Sequence, residues 1–214
     1  MKKALIITAI VAGIAFAASR CSLPWINKIN PADENTWNWS AGFTDEIAAK
    51  YKEIGRKVLK TSFLTLNGEV TNAMKEGGVQ HAVRYCNLKA YPLIDSLSEH
   101  YKVSIKRVAL KYRNPDNTMR PYEQELFMDY DARNKQKESI MDKVVLSSDN
   151  YLEYYAPIIL TTACLACHGS PGTDIKDVDY QLIRTLYPED KATGFVPGDL
   201  RGMWRIRFMP EQPK

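Results

Sequence analysis

Cys164, Cys167 and His168 form the most chemically distinctive pattern in this 214-residue sequence. The two cysteines are three positions apart and the histidine follows the second directly. This C-x-x-C-H spacing is the signature of covalent haem attachment, in which the two thiols add to the vinyl groups of the porphyrin and the histidine becomes an axial iron ligand. With only 4 Cys and 3 His in the chain, chance assembly of the pattern would be rare. The motif predicts one covalently bound haem c.

Two other interpretations of the motif are zinc binding and thiol–disulfide exchange. A structural zinc site needs a second pair of ligands, and the sequence contains no other Cys/His pair at ligand spacing. A thioredoxin-like dithiol would lie at the end of a strand in a βαβ unit, where it opens a helix. The apolar run before Cys164 is compatible with such a strand.

Cys86 is a candidate for the second axial ligand. It lies on the apolar face of a predicted helix, together with Val79, Ala82, Val83 and Ala90. The residues alone leave three interpretations open: iron ligation, a small buried side chain, and a disulfide with Cys21.

Other side chains could serve the iron or the haem. His81, five positions before Cys86, is expected to point away from the face of Cys86, and His100 is expected to be exposed near a helix end. Met203 and Met209 lie in a strand-like segment and are expected to be core and surface residues. Arg107 and Arg113 suit the haem propionates, because guanidinium pairs well with carboxylate. The alternative for these two arginines is a solvated strand edge and turn.

The N-terminus predicts export. Met1, Lys2 and Lys3 form a short basic region, and a 15-residue apolar stretch follows over 4–18. Ala15-Phe16-Ala17 fits a small-x-small cleavage site, so we expect a signal peptide over 1–18 and a periplasmic protein. An uncleaved inner-membrane anchor is the second interpretation, since a comfortable span needs roughly 20 residues. The mild net charge of +4, without a long Lys/Arg run, argues against nucleic-acid binding.

The remaining pattern indicates an α+β domain over 43–214, after an irregular lead-in over 19–42. A long helix is expected from Thr44 to Gly77-Gly78, with Gly55 and Gly68 as candidate positions for a break or bend. A second helix is expected afterwards, with Pro92 as a candidate kink. Strands are expected within 104–112, 139–148, 151–160 and 202–209. The segment 113–117 has turn residues, and helices are expected over 120–131, with Pro121 at the first position, and over 180–186.

Three stretches together resemble the PAS-like single-haem c-type cytochrome family. They are "GGVQHAVRYC" (77–86), "KRVALKYRNPDN" (106–117), and "CLACHG" with "YPEDKATGFVPGDLRGMW" (164–169 and 187–204). The resemblance implies a PAS-like antiparallel sheet with flanking helices. It also implies a histidine and a cysteine as iron ligands, which by position are His168 and Cys86. Ala109 and Tyr122 stand where the family usually has serine and tryptophan.

These observations favour an exported single-haem cytochrome that senses redox state or a small ligand through a partner protein. A periplasmic one-electron carrier is the alternative, and either function needs a redox or signal-transducing partner. A peroxidase-type enzyme would need an open iron position, which Cys86 would occupy. We therefore expect no enzymatic activity.

Overall fold

The computed structural model describes residues 42–209. The predicted signal peptide, most of the lead-in and Cys21 lie outside these residues. Helix α1 (Asp45–Tyr101) begins as expected at Thr44, whose side chain accepts a hydrogen bond from the backbone nitrogen of Ile47 at 3.3 Å. No helix within residues 42–209 is both long enough and apolar enough to cross a membrane.

Helix α1 is a hairpin of two arms, 45–76 and 79–101. Its backbone leaves helical geometry at Gly77 and Gly78, and Gly78 has a φ of 66°, which favours glycine. The hydroxyl of Tyr101 donates a hydrogen bond to the hydroxyl oxygen of Thr61 at 3.2 Å, although the two residues are 40 positions apart in sequence. Such residues can meet on one helical segment only if its arms run antiparallel. The predicted break at the glycine pair is therefore confirmed, whereas the backbone remains helical through Pro92.

Four strands form one antiparallel sheet in the order β1-β4-β3-β2. They are β1 (Val103–Val108), β2 (Lys143–Leu146), β3 (Leu152–Ile159) and β4 (Leu200–Phe208). The four predicted strands and the α+β class are confirmed. Since all neighbouring strands are antiparallel, the sheet within residues 42–209 contains no βαβ unit, which the thioredoxin-like interpretation of the cysteine motif requires.

Three further helices complete the described chain: α2 (Pro121–Lys135), α3 (Leu165–His168) and α4 (Asp177–Leu186). Short 3-10 turns cover Pro115–Asn117 and Thr162–Cys164. Pro121 occupies the start of α2 as expected.

The sheet has a buried cluster on each face. Helix α1 covers one face, where Val58, Leu66 and Ala90 pack with Tyr154, Trp204 and Ile206. Helix α2 covers the other, where Phe127 and Tyr130 pack with Val108, Tyr155 and Met203. A third cluster, around Val83, Ile175 and Ile183, includes Cys167. This third cluster holds the second arm of α1 against the segment that carries the cysteine motif.

Candidate haem site

The cysteine motif lies directly after β3, in a tight turn that continues into α3. The backbone nitrogen of Cys164 donates to the carbonyl oxygen of Thr161 at 3.0 Å, and the sulfur of Cys164 lies 3.4 Å from the nitrogen and the hydroxyl oxygen of Thr161. Cys164 and Cys167 are both partly buried. About one helical turn separates them, so both thiols are presented on the same side of the segment.

The imidazole of His168 is held by one ring nitrogen, and no residue from 42 to 209 binds the other. Its Nδ1 lies 2.8 Å from the carbonyl oxygen of Ala192, so Nδ1 carries the proton and donates. Burial, reinforced by the positive charges of Arg201 and Arg113, lowers the pKa of His168 well below its usual value. A neutral imidazole with an available Nε2 is the form that binds a metal.

The segment 190–195 fixes the position of this histidine. The backbone nitrogen of Phe195 donates to the carbonyl oxygen of His168 at 3.0 Å, and that of Gly194 donates to the carbonyl oxygen of Gly169 at 2.8 Å. The ring of Phe195 lies edge-on to the imidazole, with 6.4 Å between centroids. The sequence pattern gave no sign that the Ala192 carbonyl would orient His168, because any residue type supplies a carbonyl.

Arg113 joins the motif to the same segment. Its Nη2 donates to the carbonyl oxygen of Cys167 at 2.6 Å, and its Nε donates to Asp190 at 3.2 Å. Asp190 also accepts from the backbone nitrogen of Ala192 at 2.8 Å. Arg113 therefore lies at the predicted site, but its guanidinium already binds this protein's own groups.

Cys86 faces the motif from the second arm of α1. It lies one helical turn after Val83, which belongs to the cluster that contains Cys167. Burial raises the pKa of the Cys86 thiol, while the positive charges of Arg107 and Arg113 oppose that rise. Cys86 in turn contributes to the raised pKa of Cys167, after the larger effect of burial. The structure thus brings Cys86 into the electrostatic surroundings of the motif.

Two mostly buried arginines lie beside these groups. Burial lowers the pKa of Arg107. Burial, together with repulsion from Arg113 and Arg107, lowers the pKa of Arg201 to about 9. Neither Arg107 nor Arg201 forms a salt bridge with any residue from 42 to 209. The sequence analysis did not identify Arg201 as a candidate site residue, although Arg201 lies within a stretch that carries the family resemblance.

These groups fit a haem. Its two propionates need cations and hydrogen-bond donors, and the site offers Arg107 and Arg201 without carboxylate partners in the described part of the chain. The hydroxyl oxygen of Tyr91 is also buried there, near Arg107 and Asn117, and it makes no hydrogen bond of normal length and angle within residues 42–209. A buried donor of this kind is costly to leave unpaired, and a carboxylate would satisfy it.

The comparisons with known proteins agree with this site. Residues 22–209 match the model of the family described as Tll0287-like. The chain belongs to the Tll0287-like family. This confirms the resemblance to haem-binding PAS-like cytochromes that the three sequence stretches indicated.

One solved structure has the same fold as this Tll0287-like protein. The structure of the cyanobacterial haem protein Tll0287 is 22% identical, with a TM-score of 0.55. The match covers 76% of this chain and 97% of that one. No curated protein matches.

The other candidate ligands lie elsewhere in this family member. His81 is half-exposed and 3.4 Å from Glu76, and His100 is exposed with its ring against Tyr101. Met203 is fully buried beneath α2, and Met209 is exposed. Residues 42–209 also contain no cluster of three or more His, Cys, Asp or Glu that could hold a bare metal ion, so nothing there supports a zinc site.

Proposed function

We propose that this protein is an exported cytochrome with one covalent haem c, which senses redox state or a small ligand through a partner protein. Cys164 and Cys167 would form the thioether bonds, and His168 Nε2 and the Cys86 thiolate would be the iron ligands. Arg107 and Arg201 would hold the propionates, while Arg113 holds the motif itself. The bound haem supplies one-electron redox chemistry.

The convergence of four groups on one place carries the proposal. His168 and Cys86 lie on different elements, separated by 82 positions in sequence, yet the charges of Arg107 and Arg113 act on the pKa of both. The hydrogen bond from His168 to Ala192 orients the imidazole before any ligand binds. The protein's contribution is therefore to fix both iron ligands and to exclude water from them.

The surface of α1 favours a function in which a partner protein detects the state of the haem. On the second arm, which carries Cys86, Leu88 is 67% exposed, and on the first arm Phe63 and Leu64 are 49% and 57% exposed. Exposed apolar side chains on one element suit contact with another protein. A change at Cys86 would therefore arise two positions from the exposed side chain of Leu88, on the same arm.

One-electron transfer is the second candidate function. It is favoured by the exposure of the residues that directly precede the cysteine motif. Thr161, Thr162 and Ala163 are exposed and directly precede Cys164. A haem joined through Cys164 would have one edge close to the surface there, which suits exchange of electrons with a soluble partner.

Covalent attachment is tested by denaturing electrophoresis of protein made in a host with c-type maturation. The unaltered protein should keep its haem, with one haem per chain, and the Cys164→Ala, Cys167→Ala double variant should lose it. The protein should be recovered from the periplasm. Loss of haem from the unaltered protein on denaturation would refute the central proposal, and recovery only in membranes with Met1 retained would favour an anchor.

A further inference from the structure

The alternation of side chains along β4 is interrupted at Arg201. In the regular part of the strand, Trp204 and Ile206 lie on the sheet face that α1 covers, and Met203 lies on the face that α2 covers. Strict alternation would therefore place Leu200 on the α1 face and Arg201 on the α2 face. Leu200 instead packs with Met203 in the cluster beneath α2.

A β-bulge in β4 causes this change of face. Ile158 on β3 pairs with Gly202 on β4. The next residue of β3, Ile159, pairs with Leu200. Arg201 is therefore the extra residue of β4 and has no partner on β3. A bulge of this kind shifts the alternation by one position and re-aims a side chain.

Arg201 lies on the face that carries the haem site. Its guanidinium is 5.4 Å from the centre of the Phe195 ring, which lies edge-on to the imidazole of His168. Arg107, the other unpaired cation of the site, lies over the ring of Trp204 on the α1 face. Burial is the main cause of the lowered pKa of Arg201, and repulsion from Arg107 is among the other causes. The bulge thus brings Arg201 to the same side of the sheet as Arg107.

The backbone at Gly202 has no room for a side chain. A Cβ at this position would lie 2.5 Å from the carbonyl oxygen of Val108 and 3.2 Å from the Cβ of Ala109. Strand β1 ends at Val108, and the nitrogen of Ala109 donates to the carbonyl oxygen of Asn117 at 2.9 Å. The end of β1 therefore contacts the backbone of β4 directly beside the bulge, and a residue larger than glycine would push the two strands apart.

We infer that Gly202 is a positioning residue for the haem site: it keeps the bulge that turns Arg201 toward a haem propionate, a role that rests on the proposed function. A side chain at position 202 would separate the ends of β1 and β4, and the adjacent Arg201 would move with its strand. The pairing of a guanidinium with a carboxylate depends on a planar geometry, so a small displacement weakens it.

The midpoint potential of the haem-loaded protein tests this role. In Gly202→Ala we expect a lower potential, because a cation near the haem favours the added electron, and a shifted propionate-bending band in the resonance Raman spectrum. Arg201→Gln should give the same two changes. Since Gly202 acts through Arg201, the combined variant should shift no further than Arg201→Gln alone. Gly68→Ala, a glycine change in open space on α1, should leave both readouts unaltered.

Haem-free protein provides a second test that does not depend on how the haem binds. In the Cys164→Ala, Cys167→Ala background, Arg201→Gln should raise the thermal midpoint by a few degrees, since it removes a buried and repelled charge. This gain should shrink or vanish when Gly202→Ala is also present, because Arg201 then already lies away from Arg107. An equal gain with and without Gly202→Ala would overturn the positioning role.

Two further variants keep the test decisive if Gly202→Ala does not fold. Adding Ala109→Gly removes one of the two close contacts of the new side chain, and this double variant then replaces Gly202→Ala in both tests. Leu200→Ala tests the bulge itself: because Leu200 faces α2, the potential and the propionate band should stay as in the parent.

Several results would contradict the inference. A shift in Leu200→Ala without one in Arg201→Gln would show that Arg201 faces α2. Additive shifts in the combined Gly202→Ala, Arg201→Gln variant would show that Gly202 does not act through Arg201. Loss of haem from the unaltered protein on denaturation, by contrast, would refute the proposed function.

Discussion

The imidazole Nδ1 of His168 lies 2.8 Å from the carbonyl oxygen of Ala192, in a segment that is 24 positions further along the chain. Asp190 stabilises this arrangement, because it accepts hydrogen bonds from the nitrogen of Ala192 and from Arg113. Arg113 in turn reaches the carbonyl of Cys167. The orientation of the histidine thus depends on a carboxylate that does not touch it.

Asp190→Ala should therefore loosen His168. The variant leaves Arg113 without its carboxylate, and we expect unfolding to become easier by about 1–3 kcal/mol. Electron paramagnetic resonance of the ferric protein should show a broadened or mixed signal. Asp199→Ala is the control, since Asp199 accepts an exposed hydrogen bond from the nitrogen of Val196, just after that segment. An unchanged resonance in Asp190→Ala would rule out this positioning role.

Replacing Cys86 should change the iron potential. A thiolate stabilises ferric iron, whereas a methionine ligand raises the potential, so Cys86→Met should shift the midpoint upward. Cys86→Ala should open the iron to added imidazole, seen as a change in the ferric absorption spectrum.

A Cys21–Cys86 disulfide predicts the opposite pattern. In that case Cys21→Ala would lower stability and Cys86→Ala would leave the haem spectrum unchanged. An unaltered spectrum in Cys86→Ala would show that Cys86 is not a ligand.

Arg201 should have opposite effects in haem-free and haem-loaded protein. Its lowered pKa reflects burial and repulsion from Arg113 and Arg107, so Arg201→Gln should raise the thermal midpoint of the haem-free Cys164→Ala, Cys167→Ala protein by a few degrees. In the loaded protein the same change should lower the midpoint, because a propionate loses its cation. Arg184→Gln, an exposed change on α4, should do neither. A midpoint that moves in the same direction in both forms would argue against propionate binding.

Two glycines of α1 should respond oppositely to alanine. A Cβ on Gly55 would lie 2.4 Å from the ring of Tyr154, while a Cβ on Gly68 meets nothing within 4 Å. Gly55→Ala should destabilise the fold by about 1–3 kcal/mol through overpacking. Gly68→Ala should stabilise it by about 0.5–1 kcal/mol, since alanine favours a helix. Urea unfolding measures both changes, and equal effects would contradict the close packing of α1 on β3.

Asp142 should make stability depend on acid pH. Burial raises its pKa, but hydrogen bonds from Arg56 and Tyr154 outweigh burial, and the net pKa lies below the usual value. A carboxyl with a lowered folded pKa contributes stability above its unfolded pKa and loses it as the pH falls through the folded value.

Below about pH 4, Asp142→Asn should therefore reduce the slope of the unfolding free energy against pH. The reduction should correspond to up to about one fewer proton taken up on unfolding. Glu125→Gln, an exposed change on α2, should leave the slope unaltered. Denaturant titrations at several acid pH values measure this slope, and parallel slopes for parent and Asp142→Asn would contradict the role given to Asp142.

The sequence by itself determined the motif and most of the elements. Cys164, Cys167 and His168 are adjacent along the chain, so local spacing suffices to specify their chemistry. Apolar periodicity and turn residues likewise predicted the helix break at Gly77-Gly78 and the four strands, because these signals act within a few residues.

Only the tertiary structure decided what surrounds the motif. Three groups lie around His168: Cys86, the carbonyl of Ala192 and the charged side chain of Arg201. Their placement depends on antiparallel strand pairing and on the packing of α1, which bring together residues far apart in sequence. Every residue type supplies a backbone carbonyl, so the sequence does not single out Ala192. An arginine in a predicted strand has the same sequence pattern whether its side chain is solvated or buried. Long-range packing therefore decided which of the plausible side chains belong to the site.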